Sequence, residues 1–140
     1  MATKLNRKQK VDTRKEKVKT VLVVEDEQTI ANVLSQVLTF GGYRTVQAQD
    51  GAEALQQVEI HAPDAIVLDI VIPRMDGWEV CRCLKSNPKT RHIPIVIYTT
   101  LAQKKDIERG KELGANRYIN KEKDPLEVLE AVKSLVQTNA

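Results

Sequence analysis

From Thr20 onward, short continuous apolar runs alternate with segments whose apolar residues recur three and four positions apart. TVLVVE (20 to 25) is apolar without alternation, the pattern of a strand covered on both faces. Ile30, Val33, Leu34, Val37 and Leu38 then follow the spacing of one helix face, and Gly41 and Gly42 end the helix. YRTVQA (43 to 48) predicts a more polar strand suited to a sheet edge, and Asp50 stands where it can cap a helix through Ala54, Leu55 and Val58. AIVLD (65 to 69) and IPIVIYT (93 to 99) predict the third and fourth strands, with a helix over Trp78 to Ser86 between them. ANRYIN (115 to 120) predicts the fifth strand. Asp124, Pro125 and Glu127 supply an N-cap, a proline at the first helical position and a capping-box partner for a last helix, with a core stripe of Leu126, Leu129, Val132 and Val136.

Strands alternating with helices in this way predict an α/β fold: a five-stranded parallel sheet with helices on both faces. Periodicity does not give the strand order. In any such sheet, however, working groups collect beyond the carboxyl ends of the strands. The helix after the fourth strand, about 102 to 113, carries charge on most faces and Gly110 within it. So little apolar anchoring makes it a candidate for movement.

The 140 residues are enough for one hydrophobic core, and 41% apolar with 29% charged residues is a globular composition. The longest apolar runs fall far short of the roughly 20 residues of a membrane span, and no apolar segment follows the N-terminal lysines, so the expectation is a cytoplasmic protein with no membrane insertion. The net charge of +3 is unevenly spread. Residues 1–19 hold eight basic against two acidic side chains, a net +6 that leaves −3 on the other 121 residues. The expected organisation is a basic, disordered arm over 1–19 and a mildly acidic domain over 20–138. Such an arm attracts nucleic acid, an anionic surface or an acidic partner, but it lacks aromatics to stack on bases. Cys81 and Cys83 are spaced for packing and surface roles rather than for a redox pair, and His61 and His92 have no companions at metal-ligand spacing.

The ends of the strands carry the chemistry. Glu25 and Asp26 follow the first, Asp69 the third, Thr99 and Thr100 the fourth and Lys121 the fifth. In a parallel sheet these residues meet at one edge. Carboxylates held close together repel unless their pKa values rise or a cation joins them, and an all-oxygen set of this size suits Mg²⁺, with a backbone carbonyl just past Asp69 as a further ligand. Lys121 and the Thr99 hydroxyl then provide a positive charge and a donor for an incoming phosphoryl group, with an aspartate as nucleophile. Each feature alone has an ordinary reading: an acidic first helical turn, a turn aspartate, a β-prone threonine, a loop lysine. Their joint placement carries the signal.

The motifs VLVVEDE, DGAEAL, PDAIVLDIVIPRMDG, IPIVIYTT and GANRYINK together resemble the receiver domain of two-component response regulators, over about residues 20 to 138. The resemblance implies a flavodoxin-like fold with strand order 2-1-3-4-5 and Asp69 as phosphoacceptor. It also implies a Mg²⁺ site made by Glu25, Asp26, Asp69 and the Val71 carbonyl, with Thr99 and Lys121 on the phosphoryl group. Tyr118 would be the aromatic that changes rotamer as Thr99 moves. The implied partners are a histidine kinase or phosphotransfer protein upstream and a protein target downstream. The target would read the surface of the fourth helix, fifth strand and fifth helix. No further module follows the last helix, which leads to the expectation of a stand-alone, chemotaxis-regulator-like switch rather than an enzyme.

Two departures from the family pattern stand out. The family usually has a cis proline after the lysine, whereas Glu122 follows Lys121 here. A cis bond before glutamate costs about 3 kcal/mol, so a trans peptide or a strained loop is expected. Val71 and Leu101 would flank the phosphoryl group, and neither can hydrogen-bond an attacking water, so slow autodephosphorylation is expected. Two other function classes compete. A Mg²⁺-dependent phosphatase would use Asp69 as nucleophile but typically has a second aspartate where Val71 stands. In a binding module acting through the basic arm, the receiver would be regulatory or inert.

Overall fold

The structure is a computed structural model that describes residues 17–136. Residues 1–16 of the expected basic arm and the expected domain end at residue 138 lie outside the described residues. Strands β1 (Thr20–Val24), β2 (Arg44–Ala48), β3 (Ala65–Leu68), β4 (Ile95–Thr99) and β5 (Arg117–Asn120) alternate with five helices. The helices are α1 (Gln28–Phe40), α2 (Gly51–His61), α3 (Gly77–Ser86), α4 (Lys104–Glu112) and α5 (Pro125–Leu135). The strands form one parallel sheet in the order β2-β1-β3-β4-β5. This is the order the family resemblance implied.

Alternation along the strands divides the core into two layers. Val21, Val23, Val67, Val96 and Tyr98 face α1 and α5, where they meet Leu34, Leu38, Val128 and Val132. Leu22, Val24, Ile66, Leu68, Ile95 and Ile97 face α2 and α3 on the other side, against Ala54, Val58, Val80, Cys81 and Leu84. The central strands β1, β3 and β4 are buried on both faces and read as apolar runs for that reason. The edge strands β2 and β5 are only half-buried, as their polar residues require.

Several predicted details change. Leu126 is 48% exposed rather than part of the α5 core. The buried arc of that helix is Val128, Leu129, Ala131 and Val132, and at 3.6 residues per turn Leu126 falls nearly opposite its centre. The Asp124 side chain caps α5 by accepting from the Leu126 N–H at 2.9 Å, and the expected Glu127 half of a capping box is absent among the described residues. On α1 the buried arc is centred on Ala31, Leu34 and Leu38, which leaves Val33 at 40% exposed. The fourth and fifth strands each begin two residues later than expected, at Ile95 and Arg117. The described residues contain no cis peptide bond, so the Lys121–Glu122 bond is trans.

Candidate functional site

The register of the parallel strands delivers the predicted residues to one edge. Asp69 follows the last residue of β3, and its N–H donates to the Val24 carbonyl at 3.1 Å. Glu25 follows β1, with its N–H donating to the Ala48 carbonyl at 3.0 Å. Lys121 follows β5 and donates its N–H to the Thr99 carbonyl at 2.9 Å. Each chemical side chain is thus one residue past a paired strand. Gly77 closes the site from below: a Cβ there would lie 2.4 Å from the Asp69 carbonyl oxygen, so only glycine lets α3 start this close to the Asp69 backbone.

Glu25, Asp69 and Thr99 are buried at 2%, 5% and 0% exposure, although all three are polar. What compensates them decides the site's chemistry. The Lys121 ammonium lies 2.7 Å from Asp69 Oδ2 and 2.6 Å from Glu25 Oε1. Asp69 Oδ1 accepts from the Val71 N–H at 3.2 Å, and Glu25 Oε2 accepts from the Glu27 N–H at 3.2 Å. Glu25 Oε1 has the Lys121 ammonium as its one close partner among the described residues, so the two buried carboxylates depend on a single cation. Asp26 is exposed beside them, and one oxygen from each of Glu25, Asp26 and Asp69 lies within 4.8 Å of the others.

Glu25 and Asp69 share the Lys121 ammonium, and Asp26 beside them has no ion-pair partner among the described residues. Burial raises the Glu25 pKa, with Lys121 and the Glu27 N–H opposing and the Asp69 charge adding to the rise. For Lys121, burial acts to lower the pKa, but the hydrogen bonds and charges of Asp69 and Glu25 outweigh it and the ammonium is held above its ordinary value. The hard oxygen donors and the excess of carboxylates over cations fit a divalent cation such as Mg²⁺. The Val71 carbonyl, the expected backbone ligand, accepts no hydrogen bond among the described residues and remains free.

Thr99 and Tyr118 complete the predicted set. The Thr99 hydroxyl oxygen accepts from the Leu101 N–H at 3.3 Å. Tyr118 donates its hydroxyl to the Leu101 carbonyl, in the loop between β4 and α4. Burial, with the Asp106 and Asp69 charges adding, pushes the Tyr118 pKa up to about 12, so it remains a neutral donor. Asp69, Glu25, Asp26 and Lys121 therefore come together, while Tyr118 is bonded to the segment that follows Thr99 and packs against α4 at Gly110.

Three contacts were not visible in the sequence. Arg74, at φ 68, bonds through Nε to Asp50 Oδ2 at 2.9 Å and ties the loop after β3 to the cap of α2. The Arg109 guanidinium lies 4.5 Å from the centroid of the Trp78 ring, which is buried. The Tyr98 hydroxyl reaches the loop that carries Lys121. Only Tyr98 left a trace, a phenol where alternation asks merely for an apolar residue. Cys81 and Cys83 are free thiols, and His61 and His92 are exposed, as expected. A concavity of about 510 Å³ between α2 and α3, lined by Leu55, Val58, Pro63, Leu84 and Ile93, contains none of the site carboxylates.

Residues 21–133 match the profile of the response regulator receiver domain. The chain is 35% identical over 116 residues to the polar-differentiation response regulator DivK of Brucella anthropi, covering 83% of this chain and 94% of DivK. It is 40% identical over 119 residues to the alkaline phosphatase synthesis transcriptional regulatory protein PhoP of Bacillus subtilis, covering 85% of this chain. The chain spans about half of PhoP, 49% of its length. Among solved structures, a putative response regulator from Chloroflexus aurantiacus superimposes with a TM-score of 0.80 at 36% identity, covering 85% of this chain and 98% of that one.

Proposed function

The chain belongs to the response regulator receiver domain family, and on that premise we propose that it is a signalling switch set by phosphorylation of Asp69. The observation that carries this reading is the buried Asp69 carboxylate, backed by Lys121 at 2.7 Å and flanked by Glu25 and Asp26. Receiver domains act with histidine kinases or phosphotransfer proteins and with downstream targets. Here the donor is a phosphohistidine of such a partner, in the cytoplasm. An Asp69 oxygen attacks phosphorus as the histidine nitrogen–phosphorus bond breaks, leaving an aspartyl phosphate and a free imidazole.

Glu25, Asp26, Asp69 and the Val71 carbonyl would hold Mg²⁺, which when bound offsets charge on the phosphoryl oxygens. Lys121, already paired with Asp69, supplies a second positive charge. Its short bond to Asp69 Oδ2 means that a phosphoryl group must take over that ammonium. The Thr99 hydroxyl turns from the Leu101 N–H toward the new acceptor oxygens. That motion disturbs the Leu101 segment to which Tyr118 donates, and Tyr118 turns with it. The α4-β5-α5 face then differs between the two states, and a downstream protein responds through its difference in affinity for them. The role is that of a switch, with no turnover of substrate for its own sake.

Incubation with Mg²⁺ and acetyl phosphate, followed by intact mass, tests this. A phosphate adduct labile to hydroxylamine and absent from Asp69→Ala is expected. An adduct that persists in Asp69→Ala refutes the assignment. Val71 is 56% exposed and Leu101 packs on the core, and neither offers a polar group to a water. The aspartyl phosphate is therefore long-lived, and Val71→Asn with Leu101→Glu shortens its lifetime; equal lifetimes contradict this.

A further inference from the structure

Lys121 has a long, flexible side chain that must settle between two buried carboxylates, so its placement depends on where the loop between β5 and α5 holds its backbone. Three N–H groups of that loop are used locally. Lys121 donates to the Thr99 carbonyl at 2.9 Å, Glu122 to Asn120 Oδ1 at 2.9 Å and Lys123 to the Asn120 carbonyl at 2.9 Å. The Lys121 and Lys123 carbonyls point elsewhere. The Tyr98 hydroxyl lies 3.1 Å from the Lys123 carbonyl oxygen and 3.4 Å from that of Lys121, and no other donor reaches either among the described residues.

Tyr98 is 4% exposed, in the apolar layer between the sheet and the helices α1 and α5. Its neighbour Thr99 points to the opposite face. The last turn of β4 thus touches the site twice, through Thr99 and through the loop of Lys121. A buried phenol needs some acceptor, and Tyr43 in the same layer finds one in the Val136 carbonyl at 3.1 Å, remote from the acidic cluster. Tyr98 spends its donor on the loop that carries the site's ammonium. The residue after Lys121 is Glu122, joined by a trans peptide, so no proline ring stiffens the loop at that position.

We propose that Tyr98 is a positioning residue: its buried hydroxyl pins the segment Lys121 to Lys123 and so holds the Lys121 ammonium against Asp69 and Glu25. The proposal rests on the reading of Asp69 as the phosphoacceptor. Tyr98→Phe keeps the ring and removes only the donor, so the core survives and the melting temperature falls by only a few degrees. Amide exchange at Lys121, Glu122 and Lys123 rises about tenfold, the effect of one lost hydrogen bond, while exchange in β1 and β3 is unchanged. Phosphate uptake from acetyl phosphate slows about fivefold to tenfold at saturating Mg²⁺, whereas Mg²⁺ affinity by calorimetry is retained or increased, because a looser ammonium competes less for the carboxylates. Lys121→Ala slows uptake further, and adding Tyr98→Phe to it has no additional effect.

Unchanged loop exchange in Tyr98→Phe overturns the proposal, as does an equal loss of uptake in the Lys121→Ala background. Parallel losses of uptake and Mg²⁺ affinity also overturn it, since they mean general loosening of the site. Wild-type protein that takes up no phosphate refutes the Asp69 reading instead, and the exchange measurement then judges Tyr98 alone.

Discussion

Helices α4 and α5 stand on either side of β5 and are held in different ways. α5 buries Val128, Leu129, Ala131 and Val132, and Leu129 also fills the space beside Gly41 at the end of α1. α4 has seven charged residues among nine and buries only Gly110. It is fastened by point contacts: Gly110 against the Tyr118 ring, Arg109 over Trp78, and the Leu113 carbonyl on the Cys81 thiol. Each buried aliphatic side chain contributes about 1.5–3 kcal/mol, a polar or cation–π contact about 1. One wall of the proposed output face is therefore part of the core, and the other is clipped to it. The clips include Tyr118, whose hydroxyl is bonded to the segment that follows Thr99.

The largest effect expected from this difference comes from truncating one apolar side chain on each helix. Leu129→Ala should lower unfolding free energy by about 2–4 kcal/mol, read from denaturant midpoints, because it opens a cavity under α1. Ile107→Ala, on a residue 44% exposed, should cost about 0.5 kcal/mol or less. Similar losses from the two would mean that α4 belongs to the core after all. Gly110→Ala is next. A Cβ there would sit 2.8 Å from Tyr118 Cδ2 and 3.2 Å from Ile97 Cδ1, so the ring or the helix must move. Alanine also favours the helix by about 1 kcal/mol, so net stability should change by about 1 kcal/mol or less. Tyr118 ring resonances should shift strongly while those of the α5 residues stay in place.

How far this asymmetry was legible follows from its causes. The charge on most faces of α4 and Gly110 within it are visible in one dimension, and they mark the helix as poorly anchored. Its clips were not, since Trp78 and Arg109 are far apart in sequence and either alone reads as an ordinary residue. The α/β class and the residues at the strand ends were readable because parallel register turns position along a strand into position in space. Strand order came only from the resemblance to a known family. Leu126 misled because it continues a helical spacing that the cap at Asp124 directs toward solvent. Tyr98 reads as one more apolar position of a buried strand, because its hydroxyl's partner, the Lys123 carbonyl, lies in another loop.

Smaller perturbations test the clips singly. Arg109→Ala removes the cation over Trp78, an interaction worth about 0.5–1 kcal/mol at an exposed site. Exchange of α4 amides should rise about threefold to fivefold and Trp78 emission should change, with the global transition unmoved. An unaltered α4 would assign its attachment to Gly110 and Leu113 instead.

Near neutral pH the smallest expected effect is the titration of Cys81, whose thiol lies 3.6 Å from the Leu113 carbonyl at the end of α4. Burial raises this thiol from 9.0 to about 11, with Lys85 pulling weakly the other way. Because the folded value is the higher one, folding favours the protonated form. Its contribution is complete below pH 9, shrinks as pH rises toward 11 and is lost above it. Cys81→Ala should therefore flatten the alkaline side of the stability profile relative to wild type. In amide exchange, the residues whose protection decays with pH in wild type should lie at the end of α4 and not in α5. Equal decay in both helices would show that the thiol acts on the core rather than on the clipped wall.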